Sequence, residues 1–281
     1  MDSFGTRLHA ALDERGPLCV GIDPHSQLLA HWGLEDDLAG LEKFSRTVVE
    51  ALGDRVAALK PQSAFFERHG SRGIAVLESV VREARAAGAL VILDVKRGDI
   101  GSTMAAYAHA YLDPTSPLAV DAVTVSPYLG FGSLSPIIDT AAAHGGGVFV
   151  LALTSNPEGP QVQHAITTEG VTVAQTMLDA VADLNEGAVP LGSFGVVVGA
   201  TIGETAHDIS RLNGPILVPG LGTQGGRPED LRRIFGESAA AILPSYSREV
   251  LAHGPSVTGL RDAAGRALEE CRAALQPNVN G

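Results

Sequence analysis

The chain has 281 residues, 45% of them apolar and 19% charged, a composition that excludes a disordered or fibrous protein and allows one large core. Its formal net charge is −12 with no cluster of Lys or Arg to offset it, so a nucleic-acid polymer or an anionic membrane is repelled overall and neither is expected as a partner. A small anionic substrate stays compatible, because local cations dominate the field inside a cleft. The two cysteines, Cys19 and Cys271, have no metal-type spacing and read as buried or incidental thiols rather than a disulfide or zinc site. Residues 1–15 mix acids and bases without an apolar centre, and no apolar run reaches membrane length. Neither a signal peptide nor a spanning helix is expected, and the cytoplasm is the default location.

Residues 4–15 open the chain as a predicted extra helix, expected to close a barrel floor. Short β-rich apolar runs then recur at 18–22, 56–59, 89–93, 120–125, 147–153, 194–198, 216–218 and 239–243. They lack polar alternation, which is the habit of parallel strands buried on both faces. Helix-like stretches fall between or after them at 38–52, 71–87, 103–112, 133–144, 171–186, 202–212, 228–235 and 259–275. Eight β/α units with no dividing linker predict an α/β protein built as a single (β/α)₈ TIM barrel over residues 1–275, with 276–281 as a flexible tail.

That fold places its chemistry on the loops after the C-terminal ends of the strands. The chain puts polar residues there: Asp23 after the first strand, Lys60 after the second, Asp94 and Lys96 after the third, and Thr154 and Ser155 after the fifth. Pro219 and a Gly-rich loop follow the seventh, and Ser247 and Arg248 follow the eighth. Four charges, Asp94, Lys96, Arg97 and Asp99, fall within six residues. In a strand, side chains two apart share a face, so Asp94 and Lys96 project together. Adjacent strands lie ~4.8 Å apart, which brings Lys60 beside them and predicts an alternating Lys60, Asp94, Lys96, Asp99 array suited to proton transfer and electrostatic catalysis. A purely structural ion-pair plug in the barrel mouth is the competing reading.

The spacing Gly220-x-Gly222-x-x-Gly225 imitates a dinucleotide fingerprint, but the next strand does not end in the required acid. After the seventh strand of a barrel it reads instead as a phosphate cradle, with Arg248 as the bidentate counter-charge. Asp23 reads as a loop cap or a ligand of a sugar hydroxyl, and Ser155 as a turn residue or a ligand contact. His25, His109 and His144 show no paired spacing and are assigned to surface or packing, so no metal site is expected. Trp32 is assigned to packing in the first loop.

With Gly21-Ile-Asp23, Lys60, Asp94-x-Lys96-x-x-Asp99-Ile100, the loop from Pro219 through Gln224 and Gly225, and Arg248 in that order, the chain resembles the orotidine 5'-phosphate decarboxylases over most of its length. Lys60-Pro-Gln-Ser-Ala-Phe-Phe66 is similar to the longer bacterial type. The resemblance implies loss of CO₂ from orotidine 5'-monophosphate to give uridine 5'-monophosphate in de novo pyrimidine synthesis, without metal or cofactor. It implies that Lys96 stabilises and protonates a C6 carbanion, that Asp94 and a second subunit's Asp99 flank the leaving carboxylate, and that Lys60 balances the array. It further implies Asp23 on the ribose, Ile100 and Thr103 across a homodimer interface, Ser155 on the pyrimidine with Thr154 or Asn156 as alternatives, and Pro219, Gln224, Gly225 and Arg248 at the phosphate. A segment from about 220 to 227 is expected to close over substrate.

The chain departs from shorter relatives at Ile100-Gly-Ser-Thr103, where they carry Ile-Pro-Asn-Thr, and in its long segments 24–37 and 156–169. One rival is a Mg²⁺-dependent sugar-phosphate decarboxylase or aldolase, which would need a Glu where Lys60 stands. Another is a non-catalytic phosphate sensor, which would lack the acid-base residues.

Overall fold

The computed structural model describes residues 2–203, 206–236 and 241–275. The elements follow in chain order as α1 (Phe4–Arg15), β1 (Cys19–Ile22), α2 (Ser26–His31), α3 (Leu38–Leu52), β2 (Ala58–Pro61), α4 (Ser63–Glu67), α5 (Gly70–Ala87), β3 (Leu90–Arg97), α6 (Gly101–Leu112) and β4 (Ala122–Val125). They continue as α7 (Ser135–His144), β5 (Gly147–Leu153), α8 (Pro160–Gln163), α9 (Val173–Leu184), β6 (Phe194–Val198), β7 (Ile216–Pro219), α10 (Pro228–Phe235), β8 (Ile242–Tyr246), α11 (Arg248–Leu251) and α12 (Val257–Leu275). All strand pairings are parallel, and β8 returns to β1 to close a barrel in sequence order. The predicted TIM barrel is the observed fold.

Two apolar layers hold it. Outside the sheet, strand residues such as Val20, Leu59, Val91 and Val123 pack against Phe44, Leu77, Met104 and Leu260 of the surrounding helices. Inside, Cys19, Ala58, Leu90, Ile92, Ala122, Phe149, Val197, Leu217 and Leu243 fill the lumen. Helix α1 begins at Ser3, whose hydroxyl caps the Thr6 amide, and buries Phe4 and Leu8 completely under that lumen. Phe4 meets Phe149 edge-on at 5.9 Å, and Arg7 pairs at 2.5 Å with the buried Asp121. The extra helix therefore closes the barrel floor, as expected.

Most predicted elements coincide with observed ones to within two or three residues; three differ for physical reasons. The stretch 202–212 is not helical among its described residues. There the Asp208 carboxylate accepts the Ser210 amide at 2.9 Å, and Gln175 of α9 brackets Asp208 through its amide and carbonyl, so side chains take the backbone bonds a helix would need. Strand β3 runs past Leu93 to Arg97, and β8 covers Ile242–Tyr246 rather than 239–243, of which 239 and 240 lie outside the described residues. Both extensions carry polar side chains into the lumen, so apolar runs alone end too early. The predicted tail 276–281 also lies outside the described residues.

Trp32 is buried against Phe44 with ring centroids 4.2 Å apart, and its indole N–H donates to the Leu251 carbonyl. Both cysteines are buried, and burial pushes each thiol up to about 12.

Candidate active site

The period of two that fills the lumen with apolar side chains continues upward with polar ones. Ala58 gives way to Lys60 and Gln62, Ile92 to Asp94, Ala122 to Thr124, Leu217 to Pro219, and Leu243 to Ser245 and Ser247. These residues line a cavity of about 340 Å³ at the C-terminal rim of the barrel, together with Asp23, Lys96, Ser155, Gln224 and Arg248.

Its centre is Asp94. The Lys60 ammonium donates to Asp94 Oδ2 at 3.0 Å, and the Lys96 ammonium donates to Oδ1 at 2.5 Å. Burial alone would raise the Asp94 carboxyl, but the two ammonium groups and their hydrogen bonds outweigh it and hold the group far below the usual carboxylate range. Burial likewise opposes charge on Lys60, yet Asp94 and Asp23 hold that ammonium above the value of a free lysine. The Lys60 and Asp94 side chains are 7% and 9% exposed, whereas that of Lys96 is 46% exposed. The cluster is thus a sealed Lys60–Asp94 pair with a second, accessible cation, Lys96, opening on the cavity, not a closed plug.

A β-bulge aims Lys96. Between the pairs Leu93↔Val123 and Arg97↔Val125, three residues of β3 (Asp94, Val95 and Lys96) face Thr124 alone. Lys96 has φ +46, left-handed backbone that a non-glycine residue adopts only when held. The amides of Val95 and Lys96 donate to Thr124 Oγ1 at 3.1 and 3.0 Å, and that hydroxyl donates to Asp94 Oδ1 at 2.8 Å.

Across the cavity, Asp23 accepts the Ser247 hydroxyl through Oδ2, while its buried Oδ1 has no hydrogen-bond partner among the described residues. Ser155 approaches Gly199 so closely that a Cβ there would lie 2.1 Å from the serine oxygen. Its neighbours Thr154 and Asn156 bond to one another at 2.7 Å, and Thr154 also bonds to Gln163 of α8. The Ser155 hydroxyl has no such partner among the described residues. After β7, Gly220, Gly222 and Gly225 take φ of +99, +73 and +99, and the loop folds on itself through Gly226 N–H to Gly220 O and Gly222 N–H to Gly226 O. Arg248, the first residue of α11, is exposed and makes no ion pair among the described residues.

The cavity thus brings together Asp23, Lys60, Asp94, Lys96, Ser155, Pro219, Gln224 and Arg248. Gly225 sits in the same turn as Gln224 without lining it. Asp99, Ile100 and Thr103 stand apart: Asp99 caps the Ile100 amide at 2.8 Å, Ile100 is 63% exposed, and Thr103 is exposed in the first turn of α6. Sequence reasoning missed Thr124 and Gln62, whose side-chain amide reaches the Asp94 carbonyl at 3.3 Å. A threonine in an apolar strand is ordinary β composition and gives no signal, and Gln62 carries only its two-residue spacing from Lys60. No three His, Cys, Asp or Glu side chains group as metal ligands among the described residues.

Fold and site define a class: (β/α)₈ barrels that hold a buried Lys-Asp pair and an accessible lysine beside a glycine-rich loop and an unpaired arginine. The chain matches the family model "Orotidine 5'-phosphate decarboxylase / HUMPS family" over residues 16–262, and it belongs to that family. It is 70% identical over 275 residues to the orotidine 5'-phosphate decarboxylase of Salinispora arenicola, covering 98% of this chain and 99% of that one. The Streptomyces coelicolor orotidine 5'-phosphate decarboxylase is 63% identical over 275 residues, covering 98% and 99% of the two chains. A crystal structure from Streptomyces avermitilis superimposes with a TM-score of 0.95 at 63% identity, over 98% of this chain and 96% of that one. The OMP decarboxylase of Leishmania donovani gives a TM-score of 0.73 at 30% identity, over 97% and 98%.

Proposed function

We propose that the protein converts orotidine 5'-monophosphate to uridine 5'-monophosphate and CO₂, the closing step of de novo pyrimidine synthesis, with residues 1–275 acting as one catalytic domain. The observation that carries this reading is the accessible Lys96 ammonium, fixed 2.5 Å from Asp94 at the mouth of a buried ion pair. Breaking the bond from C6 to the carboxylate leaves its electron pair on C6 as CO₂ departs. Such a carbanion is stabilised by preorganised positive charge rather than by an electron sink. Lys96 supplies that charge and then donates its proton to C6, regaining one from solvent.

Asp94 stands beside the departing carboxylate, and Lys60 keeps it ionised and immobile. The unpartnered Oδ1 of Asp23 suits a ribose hydroxyl, and the free hydroxyl of Ser155 suits a pyrimidine edge. Pro219, Gln224, Gly225 and Arg248 take the phosphate, whose binding energy closes residues 220–227 over the substrate. The reading requires neither metal nor cofactor; Lys60 would repel a Mg²⁺ at its end of β2.

The proposal extends to a homodimer in which the partner's Asp99, Ile100 and Thr103 complete each site. Ile100, Tyr128 and Leu129, on the loops after β3 and β4, are 63, 77 and 53% exposed. Tyr128 and Lys96 border a second hollow of about 660 Å³ that meets the first at Lys96, Leu151, Thr154 and Asn156. Apolar side chains around an open hollow favour cover by another chain. No described helix is long and apolar enough to cross a membrane, and a cytoplasmic location is part of the proposal.

The test is to follow EDTA-treated protein with orotidine 5'-monophosphate by ultraviolet absorbance and identify the product. Metal-independent formation of uridine 5'-monophosphate is expected. A folded protein that leaves the substrate unchanged overturns the reading.

A further inference from the structure

The chemistry just described gives no part to Thr124, yet its hydroxyl ties together the segment that carries the chemistry. In a regular parallel ladder, strand amides find carbonyls on the neighbouring strand. At the β3 bulge the amides of Val95 and Lys96 turn instead to one side-chain oxygen, Thr124 Oγ1, at 3.1 and 3.0 Å. The same hydroxyl gives its proton to Asp94 Oδ1 at 2.8 Å. A hydroxyl has one proton and two lone pairs, so these three bonds saturate it. Thr124 is 1% exposed, so its hydroxyl makes these bonds shielded from bulk water.

We infer that Thr124 is a positioning residue for the decarboxylation proposed above, on which the inference rests. It locks the bulge with Lys96 in its left-handed conformation and thereby sets the Lys96 ammonium where C6 is to be protonated. It fixes Asp94 in the same act, because one hydroxyl spans the backbone of the proton donor and the carboxylate beside it. Without that oxygen the buried Val95 amide and the partly buried Lys96 amide lose their acceptor, and the backbone at Lys96 relaxes toward an ordinary extended conformation that swings the side chain away.

Three variants test the inference: Thr124→Val and Thr124→Ala remove the hydroxyl, and Thr124→Ser keeps it. With orotidine 5'-monophosphate, kcat of the Val and Ala variants is expected to fall about 10²-fold, the size of effect produced by a misplacement of about 1 Å. Their KM and their affinity for uridine 5'-monophosphate should stay within about threefold, the split that marks an interaction used in the transition state. Thr124→Ser should return kcat to within about threefold of wild type. A structural role alone would lower the melting temperature without this split.

A Thr124→Val enzyme with kcat near that of wild type, or a loss that serine fails to restore, overturns the inference. Amide hydrogen exchange at Val95 and Lys96, measured by NMR without substrate, examines the clamp apart from the reaction. Loss of protection in Thr124→Val is expected, and unchanged protection refutes the clamp. If wild-type protein leaves orotidine 5'-monophosphate intact, the decarboxylase reading falls and the exchange data alone decide the clamp.

Discussion

Asp94 and Lys60 are buried charged groups, and their shifts set how the pair's contribution to stability responds to pH. The folded carboxyl of Asp94 lies below its unfolded value of about 3.9, so its contribution is complete above that value and disappears as pH falls through the lower folded one. The folded ammonium of Lys60 lies above its unfolded value of about 10.4, so its contribution is complete below that value and is lost only as pH rises through the higher folded one. Between these limits the pair contributes a constant amount. Asp94→Asn leaves Lys60 buried with its main partner neutralised, and breaking such a pair costs about 3–5 kcal/mol. Burial then lowers the Lys60 value, and a lowered base gains stability as pH rises. Melting curves across pH are therefore expected to show the deficit of Asp94→Asn shrinking toward alkaline pH; a deficit that grows there would contradict the assignment. Lys60, Asp94 and Lys96 were legible in the sequence because charges directly after apolar runs demand partners. Thr124 was not, because its role exists only where β3 gains residues that β4 lacks.

Among the elements, the bulge in β3 and the glycine loop after β7 carry the most function for their length. The loop's positive φ angles confine it to glycine at three positions, and a Cβ on Gly222 would also lie 2.8 Å from Glu249 Cβ. Sequence spacing marked this loop, although the same spacing suits a dinucleotide fold; its place after β7 of a closed barrel supports the proposed phosphate site. Arg248 follows β8 beside it, exposed and without an ion pair among the described residues. Arg248→Ala is expected to reduce kcat/KM by about 10²-fold or more, the worth of two charge-assisted hydrogen bonds, with the melting temperature unchanged because no buried contact is lost. Near-normal kcat/KM would remove Arg248 from the phosphate site. The stretch 202–212 shows the opposite failure. Its helix-like pattern loses to Asp208 and Gln175 side chains that take up backbone hydrogen bonds, and the second of these lies in another helix.

At the scale of the whole molecule, the candidate site is the top layer of the barrel lumen, and α1 seals the bottom with Phe4 and Leu8. Three residues expected at the site, Asp99, Ile100 and Thr103, do not line their own cavity, which makes assembly a functional question. Lys96→Ala removes the proposed proton donor and should lower kcat by at least about 10⁴-fold. Lys96→Ala and Asp99→Ala subunits, each nearly inactive alone, should regain up to one working site per mixed dimer on joint refolding, because one site then holds an intact Lys96 and an intact partner's Asp99. Activity no higher than the sum of the two variants would show that Asp99 does not cross.

The sequence by itself determined the repeating strand and helix pattern, hence the barrel, because burial on both faces of a parallel strand writes itself as an uninterrupted apolar run. It also determined which charges gather at the rim, since a strand's period of two and the order of eight strands leave little freedom. The tertiary structure decided the β3 bulge, the left-handed backbone of Lys96, the orphan oxygen of Asp23 among the described residues and the place of Asp99 outside its own cavity. Each depends on what a neighbouring strand or loop supplies at one point in space, a quantity that no local pattern of residues encodes.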